Sequence, residues 1–235
     1  MHPTFWWRAA VGAGALALTV PGLVTASASA ASTATAIWLM DETSGTTMSD
    51  SSANDNDGKT SHVTMTGATG YVFDPVSRSK VVVPSSATLN PGASPFSYSV
   101  KVQSSHVPVS GTDYDVMRKG VGSTKGGEYK IEIIRGNGQG RAFCVVKDSR
   151  GVSASITGTT NVTDGHVHTL TCTKTGTSLT LQVDALKPRT KTVSSGIGSI
   201  SNGTALVVGA KSPSVTGAAG DWYNGALLEV RITIG

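Results

Sequence analysis

Apolar and polar residues alternate with a period of two along much of this chain. Phe96-Ser97-Tyr98-Ser99-Val100-Lys101-Val102 does so cleanly, as does Leu179-Thr180-Leu181-Gln182-Val183-Asp184. Near the end, Ala226, Leu228, Val230, Ile232 and Ile234 are interleaved with Glu229, Arg231 and Thr233. A strand turns successive side chains to opposite faces, so each run predicts a strand with one buried face. Similar patterning predicts strands at Ala36–Met40, Lys80–Val83, Tyr114–Lys119, Glu128–Arg135, Ala142–Lys147, Val152–Thr157, His166–Thr173 and Leu206–Gly209. Gly, Pro, Ser and Asn separate them. Many short strands of this kind predict an all-β fold, a two-sheet antiparallel sandwich. No stretch is long enough to serve as a linker, so residues 31–235 read as one domain whose strands begin at Ala36.

Composition agrees. Ser and Thr make up about a quarter of the 235 residues, charged residues only 14%, and no periodic run of helix formers follows the first 30 positions. β-branched residues lose side-chain freedom in helices and favour pleated surfaces. The net charge of +4 is spread without a basic cluster. Nucleic-acid binding needs concentrated positive charge to neutralise phosphates, so that class of partner is excluded.

The first 30 residues read as a signal peptide. Met1 to Arg8 carries one positive charge, Ala9 to Val24 is apolar but broken by Pro21 and Gly22, and Ala28-Ser29-Ala30 offers small residues to a signal peptidase. The run is short for a bilayer span. Export, a secreted location and a mature charge of +3 after loss of Arg8 follow as expectations. In an oxidising compartment the pair Cys144 and Cys172 is expected to form a disulfide. Further Cys or His at ligand spacing would be needed for a metal, and a nucleophilic thiol does not usually sit mid-strand.

Several motifs occur in an order that resembles a known family. Ala36-Ile37-Trp38-Leu39-Met40-Asp41-Glu42-Thr43-Ser44-Gly45 is similar to its first strand and turn, and Asp50-Ser51-Ser52-Ala53-Asn54-Asp55-Asn56-Asp57-Gly58 to its D-S-S-x-N-x-N-x-G loop. Phe96–Val102, Met117-Arg118-Lys119-Gly120, Asp164–Asp184 and Tyr223-Asn224-Gly225-Ala226 through Ile232 follow in order. Together they resemble the laminin G-like branch of the concanavalin A-like lectin/glucanase superfamily, of the secreted bacterial type. That resemblance implies a jelly-roll of two curved antiparallel sheets. Three positions depart from it: Val167 replaces the Trp before His168, Ala185 replaces a turn Gly, and Leu227-Leu228-Glu229-Val230 replaces I-D-E-V.

The Asp50–Gly58 loop concentrates oxygen donors, and hard cations take six to eight oxygens. If calcium is a cofactor here, as in many laminin G-like domains, Asp50, Asn54 and Asp57 are its expected ligands. An EF-hand is excluded, because aligning Gly58 with its turn glycine puts Ala53 at the first ligand position and Thr64 at the last. A run of Asx turns explains the same residues without a metal. Tyr114, Tyr129 and Trp222 are candidates for stacking on a sugar ring, although Trp222 and Tyr223 also suit a plug over the sandwich edge. His166 and His168 share a strand face but lack a third metal ligand, and read as surface or turn-packing residues.

Hydrolases of this fold carry E-x-D-x-E on one strand face. The nearest match, Glu128-Tyr129-Lys130-Ile131-Glu132, has Lys130 where the helper carboxylate belongs, and G-x-S-x-G is absent. The segment reads as an exposed charged face with Tyr129, Ile131 and Ile133 turned inward. The sequence therefore predicts a secreted, non-catalytic module whose partner is an extracellular glycan or a surface protein. The alternatives are a structural or adhesion domain with calcium as a stability element, and a degenerate glycoside hydrolase.

Overall fold

A computed structural model describes Met1, Thr4 and residues 34–235; the expected signal peptide lies outside the described residues. Sixteen strands form two antiparallel sheets. The first half of the chain supplies β1 (Ala36–Trp38), β2 (Thr47–Met48), β3 (Gly58–Ser61), β4 (Thr64–Met65), β5 (Tyr71–Phe73), β6 (Lys80–Val83), β7 (Phe96–Gln103) and β8 (Asp113–Lys119). The second half supplies β9 (Glu128–Gly136), β10 (Gln139–Lys147), β11 (Ser153–Asn161), β12 (Val167–Lys174), β13 (Ser178–Val183), β14 (Arg189–Thr192), β15 (Leu206–Val208) and β16 (Gly225–Ile234). The first sheet runs β14-β13-β12-β7-β16-β5-β4, with β1 also paired to β16; the second runs β11-β10-β9-β8-β15-β6-β3-β2. The expected two-sheet sandwich is what forms. Among the described residues no helix is long and apolar enough to cross a membrane.

The alternation predicted from sequence packs on β7, β12 and β13, whereas on β16 a register shift between Leu227 and Glu229 puts Leu227, not Ala226 and Leu228, in the core with Val230 and Ile232. On β7, Phe96, Tyr98, Val100 and Val102 are buried; on β12, Leu170 and Cys172; on β13, Leu179, Leu181 and Val183. They meet Tyr129, Ile131 and Ile133 of β9 and Ala142, Cys144 and Val146 of β10 in one core. Phe96, Tyr98 and Tyr129 form an aromatic cluster across the two sheets, with ring centroids 5.2–5.3 Å apart. Each buried tyrosine finds an acceptor for its hydroxyl: Tyr98 donates to Val145 O at 3.0 Å and Tyr129 to Leu89 O at 2.9 Å. The expected Cys144–Cys172 disulfide is present, with its Cα atoms 6.0 Å apart, and joins β10 of one sheet to β12 of the other.

β13 turns into its partner β14 through Asp184, which takes the left-handed conformation (φ 52°). This explains why Ala185 stands where a glycine was expected, since the left-handed residue is its neighbour. Asp184 is suited to that position because a short Asx side chain bonds locally. Its Oδ1 accepts from Thr169 N at 2.7 Å and its Oδ2 contacts His168 Nδ1 at 2.8 Å. The other ring nitrogen of His168 lies 3.0 Å from Asp164 Oδ1. His168 is buried and His166 exposed, so only His168 packs.

Burial disfavours charging the His168 ring, but the Asp184 and Asp164 carboxylates, which accept from its protonated form, outweigh it and hold its pKa above the ordinary value. A raised folded-state pKa contributes stability that is complete below the unfolded value of about 6.5 and is lost as pH rises through the folded one. Urea unfolding from about pH 5 to about pH 8 should show this loss in the wild type and a flatter profile in His168→Gln. Equal slopes for the two proteins would remove the link from the account.

Candidate functional site

The outer face of the second sheet brings together four buried charged residues, Asp115, Arg118, Glu128 and Glu132. Along β8 the register against β9 shifts between Asp115 and Met117, leaving Val116 as an extra residue. Such a bulge breaks the period of two. It places Asp115 and Arg118, three residues apart, on the same side of the sheet, where their side chains meet at 2.6 Å. Lys119 turns inward instead and donates to Asn202 O (3.1 Å) and Thr204 O (2.6 Å). Burial pushes the Lys119 ammonium down to about 8.

Arg118 is the hub. Its guanidinium reaches Glu128 Oε2 at 3.1 Å and Glu132 Oε1 at 3.9 Å from β9, and its Nε donates to Gly120 O at 2.9 Å. Lys130 pairs with Glu132. Glu128 and Glu132 were read from sequence as an exposed charged face; they are 5% and 3% exposed. The inward half of that reading holds, because Tyr129, Ile131 and Ile133 are in the core.

A strap, residues 209–224, lies over β15 and β8 beside this cluster. It leaves β15 at Gly209, whose positive φ (81°) and contact with the Phe73 ring exclude a side chain. Trp222 packs on Val207 and Ala210 and donates from Nε1 to Gly217 O at 2.9 Å. Lys80 fastens the strap by donating to Pro213 O (2.6 Å) and Val215 O (3.0 Å), with its ammonium 5.6 Å from the Trp222 ring centroid. Within the strap Lys211 pairs with Asp221 at 2.5 Å. A cavity of about 120 Å³ opens beside Arg118, bounded by Val121, Thr124, Val207 and Lys211. Burial, then Glu132 and Asp221, push the Asp113 carboxyl up to about 6; burial pushes Asp115 up to about 8 against the pull of Arg118.

The residues expected to bind a sugar are not brought together as a platform. Tyr129 is 1% exposed and belongs to the core, which its parity with Ile131 and Ile133 requires; its candidacy as a stacking ring is corrected. Tyr114 is half-buried with its ring edge-on to Tyr223 at 6.0 Å, and Trp222, part of the strap, is turned onto Val207 at 6% exposure. Trp222 and Tyr223 thus serve as the plug that the sequence also suggested.

Sequence reasoning missed Phe143. It stands half-buried on the outer face, opposite Glu132 on β9 and Thr157 on β11, with Val145 opposite Lys130 two residues on. Its signal was present in the strand Arg141-Ala142-Phe143-Cys144. With Cys144 tied into the core, a period of two turns Phe143 outward.

The Asp50–Gly58 loop is organised by its own hydrogen bonds. Asp50 Oδ1 accepts from Ile37 N and Ser52 N, and Oδ2 from Ser52 Oγ, Asn56 N and Asn56 Nδ2, at 2.9–3.1 Å. Asp57 Oδ1 accepts from Asp50 N at 2.8 Å, and the Asn54 amide donates to Thr35 O at 2.9 Å. A cation at Asp50 would have to displace five donors from its two oxygens, so the central residue of the expected set does not fit calcium in this arrangement.

Residues 77–233, most of the chain, match the family model described as Concanavalin A-like lectin/glucanases superfamily (Laminin_G_3). The chain belongs to that family. The matched segment begins after β5, so the loop at Asp50–Gly58 precedes it. Comparison with curated proteins by sequence finds no match. Among solved structures, this laminin G-like chain is similar to domain 4 of AbnA, a GH43 extracellular arabinanase from Geobacillus stearothermophilus in complex with arabinotriose. The identity is 14% and the TM-score 0.59, over 87% of this chain and 93% of that one. It is also similar to the binding domain of Paraclostridial Mosquitocidal Protein 1 (15% identity, TM-score 0.60, 86% and 47% covered). A third similar structure is the binding domain of botulinum neurotoxin DC in complex with SialylT (13%, 0.58, 86% and 48%). The chain spans about half the length of these two toxin domains. At such identities the likeness is one of fold.

Proposed function

We propose that this laminin G-like chain is a secreted, non-catalytic recognition module that binds an extracellular carbohydrate chain across the outer face of its second sheet. The observation that carries this reading is the half-buried ring of Phe143 among Lys130, Glu132, Arg141 and Thr157. A saccharide is bound by an aromatic face that covers its C–H groups and by polar side chains that take its hydroxyls. Arabinotriose on AbnA domain 4 and SialylT on the neurotoxin domain support a saccharide as the ligand class. The non-catalytic part rests on Glu128 and Glu132, which are held against Arg118 and Lys130 rather than free to serve as acid and nucleophile.

A glycan array probed with the wild type and with Phe143→Ala tests this directly. Binding by the wild type, weakened by about 1–3 kcal/mol in the variant as expected for loss of a stacked ring, with an unchanged melting temperature, supports the site. Glycan binding that survives Phe143→Ala intact puts the site elsewhere. An empty array that includes arabinan and sialylated glycans, together with capture of a surface protein, overturns the carbohydrate reading in favour of the adhesion alternative. Hydrolysis of a polysaccharide lost in Glu128→Gln or Glu132→Gln would reinstate the enzyme.

A further inference from the structure

Asp113 and Asp115 lie on the outer face of β8, and Asp221 lies in the strap beside them. One carboxylate oxygen of each falls within 4.8 Å of the other two. Asp115 N donates to Asp221 O at 2.8 Å, so strand and strap are held in register at this point. Two oxygens here, Asp113 Oδ1 and Asp115 Oδ1, are buried without any hydrogen-bond partner, and Asp115 is 0% exposed. Buried polar atoms are nearly always satisfied, so two orphans side by side call for a missing partner. Protein cations already occupy the companion oxygens: Arg118 bonds Asp115 Oδ2 at 2.6 Å and Lys211 bonds Asp221 Oδ2 at 2.5 Å.

Charge and donor chemistry bear on what that partner is. Counted as ionised carboxylates, Asp113, Asp115, Asp221, Glu128 and Glu132 exceed by two the cations they pair with among the described residues, Arg118, Lys130 and Lys211. A water could satisfy an orphaned oxygen but would leave the charge. The donor set is all oxygen, without His or Cys, which suits a hard ion. Calcium binds protein carboxylates in flexible geometry at about 2.3–2.6 Å, whereas magnesium demands a stricter shell at about 2.0–2.1 Å and keeps several waters, so an all-carboxylate cluster suits calcium. We propose that Asp113, Asp115 and Asp221 hold one calcium ion, which clamps the strap to the second sheet. The site is separate from the Asp50–Gly58 loop and does not depend on the saccharide reading.

The test uses the full chain, stripped with EDTA and desalted, then titrated with calcium chloride alone by calorimetry and by thermal melting. One saturable site per chain and a rise in melting temperature are expected. Asp113→Asn and Asp221→Asn should weaken binding by about tenfold or more, because ligand charge sets affinity. Asp57→Asn, in the other acidic loop, should leave it unchanged. Without metal, Asp113→Asn should melt at or above the wild type, since it removes like-charge repulsion; this separates a lost site from a lost fold. Absence of saturable binding up to about 1 mM calcium, near the weak end of extracellular calcium modules, overturns the proposal. So does binding that persists in both Asp113→Asn and Asp221→Asn, or that disappears in Asp57→Asn.

Discussion

Replacing Arg118 with methionine is expected to destabilise the fold by about 3–5 kcal/mol, the usual cost of stranding the partners of a buried cation. Arg118 is 4% exposed and is the group against which Asp115, Glu128 and Glu132 are all arranged. Methionine fills similar volume, so the loss would be electrostatic rather than a packing defect. The effect should shrink as pH falls, because the abandoned carboxylates can take up protons. A surface pair supplies the control. Lys101 and Glu229 are 2.7 Å apart, but Lys101 is 43% exposed, and Lys101→Met should change stability by no more than about 1 kcal/mol. Denaturant unfolding of the two variants at neutral pH and near pH 5 makes the comparison. A loss under 1 kcal/mol for Arg118→Met would mean that the strap opens to water and the cluster is solvated.

Removing the disulfide with Cys144→Ala and Cys172→Ala should cost about 3–4 kcal/mol, from the entropy of the 28-residue loop it closes. For a domain of this size that is a fall of roughly 6–16 °C in melting temperature. Both cysteines are fully buried, so part of the loss would come from the cavity that two alanines leave. Reduction of the wild type without substitution separates the contributions: it removes the cross-link but keeps both sulfur atoms in the core. If reduction leaves the melting temperature unchanged while the double variant falls, packing rather than chain entropy accounts for the bridge.

The long strands were legible because their alternation is imposed by one buried face. Phe96–Gln103, Glu128–Gly136 and Ser178–Val183 begin where the period of two begins. The strands that were missed are short or lack a buried face. Thr47–Met48 and Thr64–Met65 have two residues each, and Arg189–Thr192 is exposed throughout, so no pattern marks it. The site was harder to see for a different reason. Glu128 and Glu132 are held by Arg118 of the neighbouring strand β8, which the bulge at Val116 turns to their face, and nothing local to β9 announces it. The bulge at Val116 did leave a trace. Val116 and Met117 are adjacent apolar residues in an otherwise alternating strand, and only an extra residue lets both enter the core. Phe143 was readable too, by counting from Cys144. The Asp50–Gly58 loop shows the converse: a dense run of oxygen donors whose use is internal.

The pairing of β1 with β16 has a consequence for how the domain is made. Ile234 N donates to Thr35 Oγ1 at 3.0 Å across 199 positions of sequence, and Trp38 pairs with Val230. The central strand β7 likewise waits for both β12 and β16. During synthesis the opening strand therefore emerges long before its partner exists, and the first sheet cannot close until β16 has been made. Non-local pairing of this kind slows folding and leaves β7 and β1 as open edges in the meantime. The second sheet has no such delay between β8 and β11, whose strands pair with their immediate neighbours in sequence. That four-stranded meander, like the shorter β12–β14 meander of the first sheet, is able to assemble before the sandwich is complete.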